Sequence, residues 1–335
     1  MLSRSILILF VLLMSCGPSR EHPIIIPAGF PDPLIPERNP ISVEGVELGR
    51  MLFYEPLLSS NGTTCASCHV QSLAFTDGKA VSNGDMQAGF SGRNSPTLAN
   101  LAFMKHYFWD GGSRDLESQA FAPLMHSNEM DMDLGIMVER LNSHKTYPGL
   151  FKKVFREDSI TSSLVVRALA QFQRSLISAQ SKYDLSFEGG YELSSDEDKG
   201  RKIFNEHCAA CHTPPLFTDN SFHNNGLDTA FSEIAEDLSQ GRYRVTLKKE
   251  DLGKFRTPTL RNIEVTAPYM HDGRFSNLDE VLQHYNEGIR ISTTLDTMLM
   301  EPMALTKKEM QDLKLFLLTL TDENFLQNPD YSNPF

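Results

Sequence analysis

The sequence predicts an all-α fold built from two copies of one unit in tandem, with loop-rich connections between the helices. Three observations carry that expectation. Two five-residue motifs, Cys65-Ala66-Ser67-Cys68-His69 and Cys208-Ala209-Ala210-Cys211-His212, mark one site in each half of the chain. Each sits in the same succession of shorter motifs, so a whole unit is repeated rather than one signature. Apolar residues elsewhere keep helical spacing: Leu164, Ala168, Phe172 and Leu176 share a face, as do Met310, Leu313, Leu317 and Leu320.

The chain's 335 residues are enough for two domains, each with its own core, and 40% hydrophobic with 22% charged residues is ordinary for a globular protein. A formal charge of −12 argues against nucleic acid as a ligand and offers no basic face to anionic lipid. A protein held by charge would present a positive patch.

The N-terminus reads as an export signal. Arg4 precedes an apolar run from Ile6 to Met14 that is too short to span a bilayer. Leu13-Met14-Ser15-Cys16 resembles the processing site of bacterial lipoproteins, which makes residues 1–16 a signal peptide and Cys16 the site of a lipid anchor. An ordinary signal peptide with an incidental cysteine is the plainer alternative. The expected location is periplasmic, held to a membrane by lipid.

Setting Cys16 aside leaves Cys65, Cys68, Cys208 and Cys211. In an exported protein two such pairs suggest disulfides, but a histidine follows each directly. Cys-x-x-Cys-His is the attachment signature of c-type haem: two thiols add to the porphyrin vinyls, and the adjacent imidazole becomes the proximal iron ligand. Zinc is the rival, and the wide separation of the two motifs lacks its usual clustering. The expected cofactors are two covalent haems, with Cys65, Cys68, Cys208 and Cys211 as attachment residues and His69 and His212 on the irons. The units are therefore two cytochrome c-like haem domains.

The repeat can be followed in order. Gly49-Arg50-Met51-Leu52-Phe53 answers Gly200-Arg201-Lys202-Ile203-Phe204 ahead of the haem motifs. Leu73-Ala74-Phe75-Thr76-Asp77 answers Leu216-Phe217-Thr218-Asp219 behind them. Asn94-Ser95-Pro96-Thr97-Leu98 then answers Arg256-Thr257-Pro258-Thr259-Leu260, and Trp109-Asp110-Gly111 answers His271-Asp272-Gly273. The expected domains are 24–187 and 190–322, with a linker around Gly189-Gly190 and a tail at 323–335.

The copies differ where it matters. In the register that pairs Trp109 with His271, Glu117 pairs with Asp279 and Pro123 with Tyr285. A tyrosine at that place can reach an iron, whereas proline has no ligating atom. The first haem would then keep an open face for peroxide or a small gas, and the second would pass electrons. His284, Met298, Met300 and Met303 remain alternative ligands to the second iron.

Phe108-Trp109-Asp110-Gly111, Gly92-Arg93-Asn94-Ser95-Pro96-Thr97 and Thr266-Ala267-Pro268-Tyr269-Met270-His271-Asp272-Gly273 resemble the bacterial dihaem cytochrome c peroxidases and their MauG-like relatives, over about residues 24–322. The resemblance implies a peroxidatic first haem, hydrogen peroxide as substrate, and a second haem fed by a small cytochrome c or cupredoxin; a homodimer is compatible with it. It places Glu129 as the distal acid–base carboxylate, Gln119 in the same pocket, and Trp109, the single tryptophan, between the haems. It implies an inter-domain calcium held by Asn94, Thr266 and Pro268. The sequence departs from the activated peroxidases twice: Met86 stands where they carry a closing histidine, and Tyr285 where they carry an axial methionine. The second departure is shared with the MauG-like branch, so a MauG-like oxidase acting on a partner protein is the alternative, and a plain dihaem electron carrier the third reading.

Overall fold

The computed structural model describes residues 24–82, 93–187, 189–231 and 238–335. The leader with Cys16, and Met86 and Gly92, lie outside the described residues.

The first half opens with α1 (Val43–Phe53), whose N-terminus is capped by Ser42 Oγ accepting the Gly45 N–H at 3.0 Å. The first haem motif is a single turn, α2 (Cys65–Cys68). Two short helices, α3 (Leu116–Gln119) and α4 (Phe121–Met125), follow the Trp109 loop. Then come α5 (Leu134–Ser143), α6 (Tyr147–Phe155) and α7 (Ser162–Ser175). α8 (Lys182–Phe187) leads to α9 (Ser195–His207), α10 (Tyr243–Thr246), α11 (Leu278–Gln283), α12 (Lys307–Leu318) and α13 (Glu323–Gln327). Among the described residues the only sheet pairs β1 (Phe222–His223) antiparallel with β2 (Phe255–Arg256). The expectation of two helical units is met. No helix of the described residues is long and apolar enough to cross a membrane.

The shared sequence motifs become shared packing. α1 crosses α7 at Gly49, where an added Cβ would lie 2.0 Å from the Ala168 carbonyl oxygen; α9 crosses α12 at Gly200, 1.9 Å from that of Asp312. Only glycine lets the backbones meet so closely. Beside each crossing stands the same aromatic trio: Phe53, Phe75 and Phe172 in one half, Phe204, Phe217 and Phe316 in the other. All six rings are buried, and the faces read from helical spacing point into these cores.

The halves also exchange segments. Tyr183 of α8 packs against Phe217 and Phe316 of the second core. In return, Phe325 of α13 packs on Phe75 of the first. The last residues strap the first half: Gln71 Nε2 donates to the Asn328 carbonyl (2.8 Å), Arg50 Nη1 to that of Asp330 (2.8 Å) and Tyr54 Oη to that of Tyr331 (2.8 Å).

Candidate active site

Each haem motif is followed by a turn that aims its histidine. His69 Nδ1 lies 2.7 Å from the Phe75 carbonyl and His212 Nδ1 3.1 Å from that of Phe217. A carbonyl can only accept, so Nδ1 carries the proton and Nε2 is left as the ligating nitrogen, the second-sphere arrangement of haem and metal histidines. Phe75 and Phe217 both adopt left-handed backbone (φ 60° and 53°), which turns their carbonyls back on the rings. Thr97 and Thr259 tie the same turns by donating to the Ala74 and Leu216 carbonyls, each at 2.6 Å. Cys65, Cys68, Cys208 and Cys211 are free thiols, and burial pushes Cys65 and Cys208 up to about 12. Free thiol pairs and oriented imidazoles are the donor set that c-type haem requires. Burial also lowers both histidines, favouring the neutral, ligating form.

The two copies meet at a seam with pseudo-two-fold hydrogen bonding. Asn94 N donates to the His271 carbonyl at 2.9 Å, and Arg256 N donates to the Trp109 carbonyl at 2.7 Å. Asn94 corresponds to Arg256 and Trp109 to His271, so the repeat binds itself reciprocally. Trp109 is buried, with Nε1 donating to the Asn94 carbonyl at 2.8 Å. The stacked counterpart is His271 on Phe255, with centroids 3.6 Å apart and planes 11° from parallel; burial lowers His271 to about 4, so it is neutral at pH 7. Asp110 is held by Arg93 at 3.0 Å and Arg244 at 3.2 Å, which locks the Trp109 loop to both halves.

The seam also collects the residues singled out for calcium. Asn94 Nδ2 donates to the Lys79 carbonyl (2.7 Å), and its backbone meets the loop that carries Thr266 and Pro268. Gly273, at φ 65°, lets that loop touch Ala80, 2.3 Å from where its Cβ would be.

The distal sides differ. In the first half Pro123 lies in α4 and Gln119, half-buried, ends α3. Glu129 follows in a turn fixed by its own N–H to the His126 carbonyl (2.9 Å) and by Asn61 Nδ2 donating to its carbonyl (2.9 Å). His126 Nδ1 is 3.8 Å from Glu129 Oε1. Burial first, and charges including that of Glu129 after it, raise both Cys65 and Cys68. In the second half the equivalent stretch is a π-helix, His284–Gly288, a form that recurs at functional sites. Tyr285 is raised to about 12, by burial first, with Cys208 and Cys211 among the charges that act on it. Of the alternative ligands, His284 Nε2 is engaged by the Asn225 carbonyl at 2.9 Å, and Met298 and Met300 are half exposed.

Sequence reasoning missed three groups. Glu117 is a buried ion-pair partner, bonded by Arg174 Nη1 (2.7 Å) and Nη2 (2.9 Å) and by Asn39 (2.7 Å). His223, which lies in no motif, bridges Asp219 (2.8 Å) and Asp296 (2.5 Å). Asn225 carries no motif at all and reaches Tyr285.

Comparison with known proteins covers both halves. A family model described as di-haem cytochrome c peroxidase matches residues 43–192, and one for cytochrome c matches 197–321. The methylamine utilization protein MauG of Methylorubrum extorquens is 37% identical over 295 residues, covering 86% of this chain and 81% of that protein. The cytochrome c551 peroxidase of Nitrosomonas europaea is 32% identical over 328 residues, covering 97% and 92%. The crystal structure of a MauG-like protein associated with microbial copper homeostasis superposes with a TM-score of 0.85 at 33% identity, covering 92% of this chain and 98% of that one.

Proposed function

The chain belongs to the di-haem cytochrome c peroxidase and MauG family, and from that premise we propose that it reduces hydrogen peroxide to water with electrons from a small donor protein. Peroxide, two electrons and two protons give two waters. Two c-type haems supply the iron at which the O–O bond breaks and the redox capacity to break it. The single observation that carries the reading is the asymmetry of the distal sides: proline and a carboxylate in the first half, tyrosine in the second.

His69 and His212 would hold the two irons, and Cys65, Cys68, Cys208 and Cys211 the porphyrins. Glu129 takes a proton from the near oxygen of peroxide and returns it to the far oxygen, which leaves as water. Gln119 orients the substrate in the same pocket. Trp109, packed at the seam, shortens the path between the halves. Tyr285 would close the second iron; His284 is engaged elsewhere and the methionines at 298 and 300 are half exposed. A calcium ion at Asn94, Thr266 and Pro268 would pin the seam. No histidine occurs between His69 and His106, so the first iron needs no reductive opening, and the resting oxidised protein should show one high-spin and one low-spin haem. The leader and Cys16 place the enzyme in the periplasm on a lipid anchor, which mass spectrometry of the membrane fraction tests.

A MauG-like oxidation of a partner protein is the second reading, favoured by Tyr285 and by the MauG relative. Steady-state assay with hydrogen peroxide and reduced cytochrome c separates the two. Fast turnover is expected. Slow turnover with a long-lived oxidised spectrum supports the second reading, and no response to peroxide leaves a dihaem electron carrier.

A further inference from the structure

The π-helix that carries Tyr285 is gripped on both sides. His284, buried, bonds the Asn225 carbonyl at 2.9 Å, and Asn286, also buried, exchanges two hydrogen bonds with the Leu305 backbone, at 3.2 and 2.7 Å. These two anchors point their side chains into protein and leave the phenol between them. Among the described residues its oxygen meets one donor, Asn225 Nδ2, 3.3 Å from Tyr285 Oη. The same amide nitrogen lies 3.4 Å from Met270 Sδ. One side chain thus stands between a hard oxygen and a soft sulfur, the two ligand types between which iron in its two oxidation states discriminates.

Asn225 is itself held in place. Its neighbour Asn224 is buried and donates to Ser292 Oγ (3.0 Å) and Thr294 Oγ1 (2.9 Å), while accepting from Gly226 N (3.0 Å). Arg290 N closes the other side on the Gly226 carbonyl at 2.8 Å. Gly226 has φ 69° and no room for a Cβ, which would fall 2.7 Å from Ile289 Cγ2. The loop is therefore built to present the Asn225 amide at a fixed place, as an outer-sphere group must be.

We propose that Asn225 is a positioning residue: its amide, donating to Tyr285 Oη, holds that oxygen as the axial group of the second haem and keeps Met270 from taking its place. The proposal rests on Tyr285 being the axial group. A donor to the phenolate oxygen fixes its direction and compensates its charge in a buried setting, where an uncompensated anion is costly. Without the donor, the phenol oxygen loses the bond that fixes its direction.

Resonance Raman spectroscopy of the oxidised full-length holoprotein tests this through the vibrations of an iron-bound phenolate. The parent should show them, and Tyr285→Phe should not. Asn225→Leu and Asn225→Asp, both close in volume, should lose most of that signature, whereas Met270→Leu should keep it. Haem content of two per chain in each variant separates loss of positioning from failure to fold. An unchanged phenolate signature in both Asn225 variants overturns the proposal while leaving the Tyr285 reading intact. A parent lacking the signature, or Tyr285→Phe matching it, overturns the Tyr285 reading itself.

Discussion

The two halves share a skeleton down to individual bonds and differ in particular side chains, among them those at the matched positions of Pro123 and Tyr285. The glycine crossings, the aromatic trios, the left-handed turns that aim His69 and His212, and the reciprocal bonds across the seam recur with the same partners. The position of Pro123, in α4 of one copy, holds Tyr285, in the π-helix of the other, and Glu129 follows α4 in a turn of the first half. Duplication therefore supplied two equivalent haem motifs, and on the proposed reading a few side chains divide the work between substrate chemistry and electron supply. Fold alone would have assigned both the same task.

The sharpest way to break this contrast is to remove the carboxylate from the reactive side. Glu129→Gln keeps volume and hydrogen bonding but cannot carry the proton, and kcat with peroxide should fall about 10²–10⁴-fold with both haems retained. Unchanged kinetics would strip Glu129 of its role and leave the two distal sides chemically alike.

A second comparison uses one repeat position in two settings. Glu117 is buried against Arg174, whose bidentate bonds together with Asn39 outweigh the opposing effect of burial and hold the carboxyl below its ordinary range. Its equivalent Asp279 pairs with Lys314 at 2.8 Å but is largely exposed. Removing one partner of a buried pair strands the other, so Glu117→Gln should lower unfolding free energy by about 3–5 kcal/mol. Asp279→Asn should cost at most about 1 kcal/mol. Thermal denaturation of the two variants side by side checks the difference; equal losses would mean that Arg174 finds another acceptor.

Grafting the contrast across is the next test. Pro123→Tyr offers the first half the phenol that the second possesses. If the new ligand seats in about nine molecules of ten, turnover falls about tenfold, because only the open fraction reacts. The high-spin signal of the resting protein should shrink in parallel. A tyrosine that leaves the spectrum untouched would show that position 123 lies out of reach, and that the repeat register misplaces the distal site.

What the sequence made legible was local. Cys-x-x-Cys-His carries attachment and ligation within five residues, and the order of motifs revealed the duplication, Gly49 and Gly200 included. Glu129 became a candidate only through spacing shared with a family, because one carboxylate in an acidic loop has no signature. Contacts between distant segments were invisible. Asn225 and Tyr285 stand 60 residues apart, and Gln71 bonds Asn328 across 257. The tail reads as an appendage, yet Phe325 and Leu326 sit in the first core. A helical face can be read from periodicity, whereas the partner of a single amide or the destination of a terminal strap depends on the closed fold.

The weakest expected effect again contrasts matched residues. Asp77 in the first half accepts from the neutral donors Lys79 N and Ser82 Oγ, whereas its equivalent Asp219 shares His223 with Asp296. The Cys211 sulfur first, then Asp296 and Asp219, raise His223 from 6.5 to about 10 against the opposing pull of burial. A group raised on folding stabilises the fold fully below its unfolded value and loses that contribution as pH climbs through the folded one. The loss should therefore begin near pH 6.5 and be complete by about 10. With Cys211 bound as a thioether, Asp296 and Asp219 are left to hold the imidazolium, so in the holoprotein the loss is complete before that upper limit. Thermal melts of the holoprotein should show a decline of a few degrees over that window, absent in His223→Gln. The same melts for Asp77→Asn should keep the slope, since the His223 cluster stays intact. A slope that survives His223→Gln would locate the titrating group elsewhere.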